Sequence, residues 1–199
     1  TALRGGALSG GIARPAKAQL AQLTLPSNAP ETPPPGYNIL FVLVDQEHFF
    51  DKWPFPVPGR EHLKKYGTTF LNHQAAAQVC SSARSVIYTG QHIQHTRVFD
   101  NMEAPWQRDM STDVLTIGHR LQQLGYHAAY QGKWHLSGNL DEAKKPVEAS
   151  FLKNRDIIQT YGFADFLGVG DLIDGALGGY HYDNFSTESA VTWLRTRPR

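Results

Sequence analysis

The sequence has very little cysteine: one residue, Cys80, in a chain of 199. A single cysteine cannot form a disulfide within the chain, and it excludes a zinc site built from several cysteines. A lone cysteine is most often a small buried hydrophobic residue, so Cys80 taken by itself indicates no chemistry.

The sequence also lacks an excess of charge of either sign and any long apolar run. Its 19 basic and 18 acidic side chains give a formal net charge of +1. This balance predicts neither a nucleic-acid partner nor attraction to an anionic membrane, so an anion must be bound by a local cluster. The longest strongly apolar run, Ile39 to Val44, is too short to span a bilayer, and no membrane span is predicted.

The first 36 residues differ in composition from the rest. They are rich in Gly and Ala, and four prolines lie between positions 30 and 35. Because proline cannot donate to a strand ladder and favours extended backbone, residues 1–36 are predicted to form an arm or linker. The stretch Ala16-Lys-Ala-Gln19 has the small-x-small pattern of an export signal, which favours a periplasmic or secreted location. A plain flexible terminus and a cytoplasmic location are the alternatives.

From position 37 the pattern is that of an α/β domain. Strand patterns lie at residues 38–44, 68–71 and 126–130, and helix patterns at residues 59–66, 81–88, 113–124 and 184–194. The apolar run 38–44 is typical of a strand buried on both faces of a parallel sheet. The alternation predicts a doubly wound, mostly parallel sheet flanked by helices over residues 37–199. In the last helix, Ser186 or Thr187 is predicted near the N-cap, with Val191 and Leu194 buried.

Three reactive or polar segments each follow a strand-like run: Asp45, Cys80 and residues 133–135. In open α/β sheets, ligands bind beyond the carboxyl ends of the strands. We therefore expect these three segments to converge at one edge of the sheet.

Four motifs occur in order along the chain. They are Asn38-Ile-Leu-Phe-Val-Leu-Val-Asp-Gln46, Cys80-Ser-Ser-Ala-Arg84, Tyr88-Thr-Gly90, and Gly125-Tyr126 followed by Gly132-Lys-Trp-His-Leu136. Together they resemble the N-terminal portion of the sulfatase family of the alkaline phosphatase superfamily. The resemblance implies an alkaline phosphatase-like α/β fold, incomplete in this chain, and metal-dependent hydrolysis of a sulfate monoester.

The resemblance implies a specific chemistry for Cys80. In sulfatases the cysteine of this pentapeptide is converted by a formylglycine-generating enzyme to formylglycine, whose hydrated aldehyde attacks sulfur. The second hydroxyl of the gem-diol can then lose its proton and expel sulfate. Asp45, Gln46 and the modified Cys80 are the metal ligands that the resemblance implies. Such hard ligands indicate calcium, with magnesium or manganese as alternatives.

The resemblance assigns roles to other polar residues. Arg84 is expected to hold the hydrated aldehyde and the metal-binding carboxylates. Lys133 is expected to contact the sulfate group, and His135 to act as the base for the hydroxyl that loses its proton. The two alternate about Trp134, so an extended segment would point both to one side and Trp134 into the core. Asn101 is expected to contact the substrate anion.

Two residues depart from the usual family pattern. Gln46 follows Asp45 where many sulfatases have a second aspartate, which resembles the choline-sulfatase and phosphonate monoester hydrolase branch. Ser82 stands where the modification motif usually has proline, which puts the conversion of Cys80 in question. The Lys133 and His135 pair, which phosphonate monoester hydrolases typically lack, favours sulfate esters.

The rest of the metal site that the resemblance implies is an Asp followed by His or Asn at a Gly-rich turn. Asp183-Asn184 precedes a predicted helix instead of such a turn, so we match no segment of the sequence to it. We therefore expect the chain to need the missing C-terminal part of the same polypeptide and to be inactive alone. Two alternatives stay open beside a sulfatase: a phosphonate or phosphate ester hydrolase on the same scaffold, and a non-catalytic fragment that folds or binds only with its missing half.

Overall fold

The computed structural model describes residues 37–140, 147–167 and 175–197. The arm predicted over residues 1–36 lies outside the described residues. Strands and helices are found in the order α1 Pro58–Lys64, α2 Cys80–Thr89, α3 Ile93–Thr96, α4 Ile117–Gln123, β1 Ala129–Gln131, a 3-10 helix Gly138–Leu140, α5 Val147–Thr160, β2 Asp165–Leu167 and α6 Gly175–Thr196.

The sheet in the described part of the chain has two parallel strands. β1 pairs with β2 in the register Ala129 to Asp165 and Tyr130 to Phe166. α5 connects the two strands and packs against β2, which makes a βαβ unit. The parallel pairing agrees with the α/β class predicted from the sequence. The wider doubly wound sheet is not formed by the described residues.

The prediction of a buried strand over residues 38–44 is not met by the described structure. These residues form no strand there, and their side chains are exposed, for example Leu40 at 73% and Val42 at 73%. A strand buried on both faces needs a neighbouring strand and helices over both faces. β1 and β2 pair with each other, and neither pairs with this run. The predicted strand at 68–71 is also absent, and Phe70 and Leu71 are exposed.

Two predicted helices have different boundaries in the structure. α4 begins at Ile117, because the side chains of Thr116 and His119 bind the first free backbone N–H groups in a capping box. α6 begins at Gly175, so the N-cap prediction at Ser186 or Thr187 is wrong. Its Val191 and Leu194 side chains are exposed. α6 is instead attached by Trp193, whose indole Nε1 donates to Asp165 at 2.7 Å.

The core of the domain is a cluster of aromatic side chains around Trp134. Trp134 is fully buried, stacks on Tyr88 with ring centroids 5.2 Å apart, and contacts Tyr161 at 4.9 Å. The prediction that Trp134 belongs to the core is confirmed. Nearby, Gly118 and Gly162 pack backbone to backbone: a Cβ on Gly118 would lie 2.6 Å from the Gly162 carbonyl oxygen. None of the described helices is long and apolar enough to cross a membrane.

Candidate active site

Cys80 is the first residue of α2, and its thiol is free and half-buried. The helix starts abruptly, since the preceding Val79 has φ 59° and ψ 154° and gives no side-chain cap. The cap comes from a distant residue: Asn101 Oδ1 accepts the Ser81 backbone N–H at 3.1 Å. Gly90 ends the helix in a left-handed conformation with φ 67°. Cys80 therefore lies at a helix N-terminus that favours negative charge.

The segment that follows the apolar run reaches Cys80. Gln46 has a φ of 53°, and its Nε2 lies 3.9 Å from Cys80 Sγ. The adjacent Asp45 is half-buried and faces α2. The Asp45–Gln46 segment thus lies against Cys80. The sequence predicted that Asp45, Cys80 and residues 133–135 converge at one edge of a sheet, and Gln46 was not part of that expectation.

Asp45 is held by two cations. Its Oδ1 accepts from Arg84 at 3.0 Å, and its Oδ2 accepts from Lys133 Nζ at 3.0 Å. Partial burial alone would raise the pKa of Asp45, but the hydrogen bonds and positive charges of Arg84 and Lys133 outweigh it and lower that pKa. Asp45 is therefore a carboxylate at neutral pH, as a metal ligand must be.

The guanidinium of Arg84 joins α2 to the loop that carries Lys133. Its side chain is only 5% exposed, and one nitrogen donates to the Lys133 carbonyl oxygen at 2.6 Å and to the Tyr88 hydroxyl at 3.1 Å. The charge is compensated by Asp45. Arg84 therefore fixes the position of both Asp45 and the Lys133 backbone.

Two tyrosines support this network, and neither was predicted from the sequence to belong to the site. The Tyr88 and Tyr130 hydroxyls lie 2.8 Å apart, and the Tyr130 hydroxyl also donates to the Lys133 carbonyl oxygen. Tyr88 could have been found from its position, four residues after Arg84 on the same face of α2. Tyr130 carried no such signal.

His135 has a different carboxylate partner from Lys133. Its side chain is 4% exposed, and its Nε2 lies 2.7 Å from Glu103 Oε1. The backbone of His135 has a φ of 58°, so the segment 133–135 is not regularly extended. The expectation that Lys133 and His135 point to one side rested on an extended segment and is therefore not met in that form. Glu103 was missed by the sequence analysis, because it lies in a turn between the recognised motifs.

The donor atoms near Cys80 fit part of a site for a hard divalent cation. Each oxygen of Asp45 accepts one hydrogen bond and retains a lone pair, and Gln46 adds an amide group beside it. Calcium takes six to eight oxygen ligands. Within residues 37–140, 147–167 and 175–197, no group of three or more His, Cys, Asp or Glu side chains is placed to hold a metal ion. Asp45 and Gln46 would thus supply only a part of the ligands.

Comparison with known proteins gives the family. A family model described as Sulfatase matches residues 38–199, and the chain therefore belongs to the sulfatase family. The chain is similar to the protein named Uncharacterized sulfatase YidJ of Escherichia coli (strain K12), with 28% identity over 109 residues, 51% of this chain and 20% of that protein. It is similar to arylsulfatase G of Rattus norvegicus, with 30% identity over 111 residues, 53% of this chain and 21% of that protein.

A third relative is the protein of Caenorhabditis elegans named "Putative extracellular sulfatase Sulf-1 homolog". It is 26% identical over 103 residues, which are 49% of this chain and 14% of that protein. The chain spans about a fifth or less of the length of these three curated relatives. The fold class implied by the family is the alkaline phosphatase-like α/β fold, with which the βαβ unit of the described residues is consistent.

Proposed function

We propose that the whole protein hydrolyses sulfate monoesters, with position 80 as the source of the nucleophile. The observation that carries this proposal is the contact of the Asp45–Gln46 segment with Cys80 at the N-terminus of α2. Arg84 and Lys133 surround the same carboxylate. Membership of the sulfatase family supports the reaction class.

The site has the charge that a sulfate ester requires. The group to be transferred is an anion, and Lys133 brings an ammonium to Asp45 beside the positive end of the α2 dipole. The Lys133 side chain is 12% exposed, so water screens its charge little. Lys133 is the residue that would stabilise negative charge on the sulfate oxygens in the transition state.

The proposal includes conversion of Cys80 to formylglycine, whose hydrated form offers a hydroxyl for attack and a second one for release of sulfate. Ser81 and Ser82 are buried in α2. An enzyme that reads residues 80–84 in an extended form would therefore have to act before α2 folds.

The proposal also includes a divalent cation, calcium first and magnesium or manganese as alternatives. When bound, it would lower the pKa of the attacking hydroxyl and neutralise sulfate oxygens. Asp45 and Gln46 would hold it, and Arg84 would keep the Asp45 carboxylate oriented. His135 would take the proton from the second hydroxyl. The amide nitrogen of Asn101 would contact the substrate anion, since its oxygen already binds Ser81.

A phosphonate or phosphate ester hydrolase is the second candidate, and Gln46 favours it because it touches Cys80 where many sulfatases have another aspartate. Turnover of an aryl sulfate and of the matching aryl phosphonate by the whole protein separates the two. We expect a larger kcat/KM for the sulfate. A large preference for the phosphonate would overturn the proposed function.

The third candidate is a non-catalytic chain that acts only together with a further part of the polypeptide. The partial set of cation ligands in the described residues favours it. Calorimetric titration of this chain alone with calcium or manganese should show weak binding. Tight binding would contradict the view that the ligands here form only part of the site.

A location outside the cytoplasm accompanies the proposal. It is supported by the relative from Caenorhabditis elegans, whose name includes the words "extracellular sulfatase Sulf-1 homolog" after the word "Putative". Fractionation of the native host should find the protein in the periplasm or the medium, and recovery from the cytoplasm alone would contradict this.

A further inference from the structure

His135 and Glu103 form a pair between a buried ring and an exposed carboxylate. The His135 side chain is 4% exposed and that of Glu103 is 66% exposed, while His135 Nε2 and Glu103 Oε1 lie 2.7 Å apart. The His135 backbone has a φ of 58°, which is uncommon for a residue other than glycine and is kept only where the surroundings fix it. The ring is thus held in one place, with its Nε2 atom directed at the exposed carboxylate of Glu103.

The turn that carries Glu103 is connected to the nucleophile helix. It is closed by a hydrogen bond from the Ala104 N–H to the Asn101 carbonyl oxygen at 3.0 Å. The side chain of Asn101 caps α2 at Ser81. Asn101, the first residue of this turn, therefore contacts the start of α2, and Glu103, the third residue, contacts His135.

The base of this turn is fixed by a single glutamine. Gln107 Oε1 accepts the backbone N–H groups of Phe99 and Asp100 at 2.8 and 3.0 Å, and its Nε2 donates to the Arg97 carbonyl oxygen at 3.2 Å. A turn anchored in this way presents Glu103 in a defined position although its side chain is exposed.

The carboxylate of Glu103 determines the protonation of the bonded nitrogen. Burial alone would raise the pKa of Glu103. Its own backbone N–H, the hydrogen bond and charge of His135 and the charge of Lys133 together lower it. An ionised carboxylate only accepts hydrogen bonds, so the proton lies on Nε2 of His135. In the neutral ring the lone pair is then on Nδ1.

We infer that Glu103 is a positioning residue for His135, whose ring it orients and whose proton it keeps on Nε2. The inference rests on the proposed function, in which His135 takes a proton from the reacting group. Glu103 acts through His135 and does not itself contact the substrate. Because the Glu103 side chain is 66% exposed, we expect its replacement by glutamine to leave the fold intact.

The test is Glu103→Gln in the whole protein, with Glu61→Gln as the matched control. Glu61 is an exposed glutamate of α1 that pairs with Lys64 at 2.9 Å. Nitrogen-15 NMR of the histidine rings reports which nitrogen carries the proton, and the signal of His135 is identified by its loss in His135→Gln. Glutamine can donate or accept, so we expect the Nε2–H form to lose its dominance in Glu103→Gln but not in the control. With an aryl sulfate, kcat should fall about 10-fold at unchanged KM, a part of what a positioned base contributes.

Three results are decisive. An unchanged His135 tautomer in Glu103→Gln overturns the inference, and so does a fall in kcat that only follows a loss of thermal stability. No hydrolysis of sulfate esters by the unsubstituted protein, with formylglycine and cation present, overturns the proposed function. In that case the NMR comparison still decides whether Glu103 holds His135.

Discussion

Lys133 Nζ lies 3.0 Å from Asp45 Oδ2, so the residue proposed to bind sulfate is held by the residue proposed to bind the cation. The Lys133 ammonium binds one carboxylate oxygen of Asp45, and the Arg84 guanidinium binds the other at 3.0 Å. A divalent cation that approaches Asp45 meets two positive charges. The ion pair of Lys133 and Asp45 therefore links the affinity for the cation to the position of the sulfate-binding ammonium.

The first prediction follows from the repulsion between a bound divalent cation and the positive charge of Lys133. Lys133→Met should increase calcium affinity about 10-fold, because a neighbouring positive charge is removed at a partly buried site. The same variant should lower kcat/KM for a sulfate ester by about 10²-fold or more, because charge stabilisation in the transition state is lost. Calorimetry and kinetics on the whole protein measure the two effects. Lys64→Met, which removes an exposed lysine paired with Glu61, should change neither.

Weaker or equal calcium binding by Lys133→Met would show that the ion pair does not oppose the cation. Intact kinetics with reduced thermal stability would show that Lys133 has a structural role only.

The second prediction concerns Asp45 itself. Asp45→Ala should abolish cation binding and activity. It should also lower the free energy of unfolding by about 2 kcal/mol, because the nearly buried guanidinium of Arg84 loses its charged partner. Urea unfolding and metal analysis of the purified variant test both parts. Unchanged metal content would contradict the assignment of Asp45 as a ligand.

The parts of the site that sequence could predict are those carried by contiguous motifs. Cys80 and Arg84 are one helical turn apart, and Asp45 directly precedes Gln46, so each pair follows from local geometry. The roles of Glu103 and Tyr130 depend on contacts across 32 and 42 positions of sequence. No periodicity of helix or strand reports a contact of that kind, so these residues needed the structure.

In the fold, too, the features set by local sequence could be predicted, and those set by distant contacts could not. The run 38–44 has the composition of a buried strand, but composition does not supply the neighbours that make a strand. Among the residues that the structure describes, β1 and β2 pair only with each other. The helix predicted at 81–88 agrees with α2 because Gly90 and the helical spacing act locally. The start of α6 at Gly175 was missed, since Ser186 and Thr187 imitate a cap while lying inside a longer helix.

The third prediction concerns acid stability. Asp165 accepts from His127 at 2.6 Å and from the Trp193 indole at 2.7 Å. Partial burial would raise the pKa of Asp165, but these hydrogen bonds and the charge of His127 lower it. A lowered carboxyl pKa stabilises the fold above the pKa of the unfolded chain, about 3.9, and this stabilisation is lost as pH falls through the lower folded value. Asp165→Asn should therefore show a smaller loss of stability below about pH 4 than the unsubstituted protein.

Urea midpoints measured at several pH values test this, with Asp183→Asn, an exposed carboxyl of α6, as the control. An unchanged pH dependence in Asp165→Asn would show that the hydrogen bond between Trp193 and Asp165 does not attach α6 to the sheet in solution.

The last prediction concerns Ser82 and the conversion of Cys80. Ser82 is 1% exposed, and its hydroxyl makes no hydrogen bond within the described residues. The first backbone hydrogen bond of α2 is donated by Ala83 to Val79, so a proline at position 82 removes no helical bond. Proline also favours the extended form that the modifying enzyme reads. Ser82→Pro should therefore fold and should raise the converted fraction and the specific activity in parallel.

Mass spectrometry of the tryptic peptide of residues 66–84 measures the conversion, because replacing the thiol by an aldehyde lowers its mass. Ser82→Ala is the matched control: it removes the buried hydroxyl without the proline ring, so its converted fraction should stay at the level of the unsubstituted protein. A rise in Ser82→Ala equal to that in Ser82→Pro would attribute the effect to the hydroxyl. An unmodified thiol in fully active enzyme would refute the aldehyde mechanism and leave Cys80 as a thiolate nucleophile or a metal ligand.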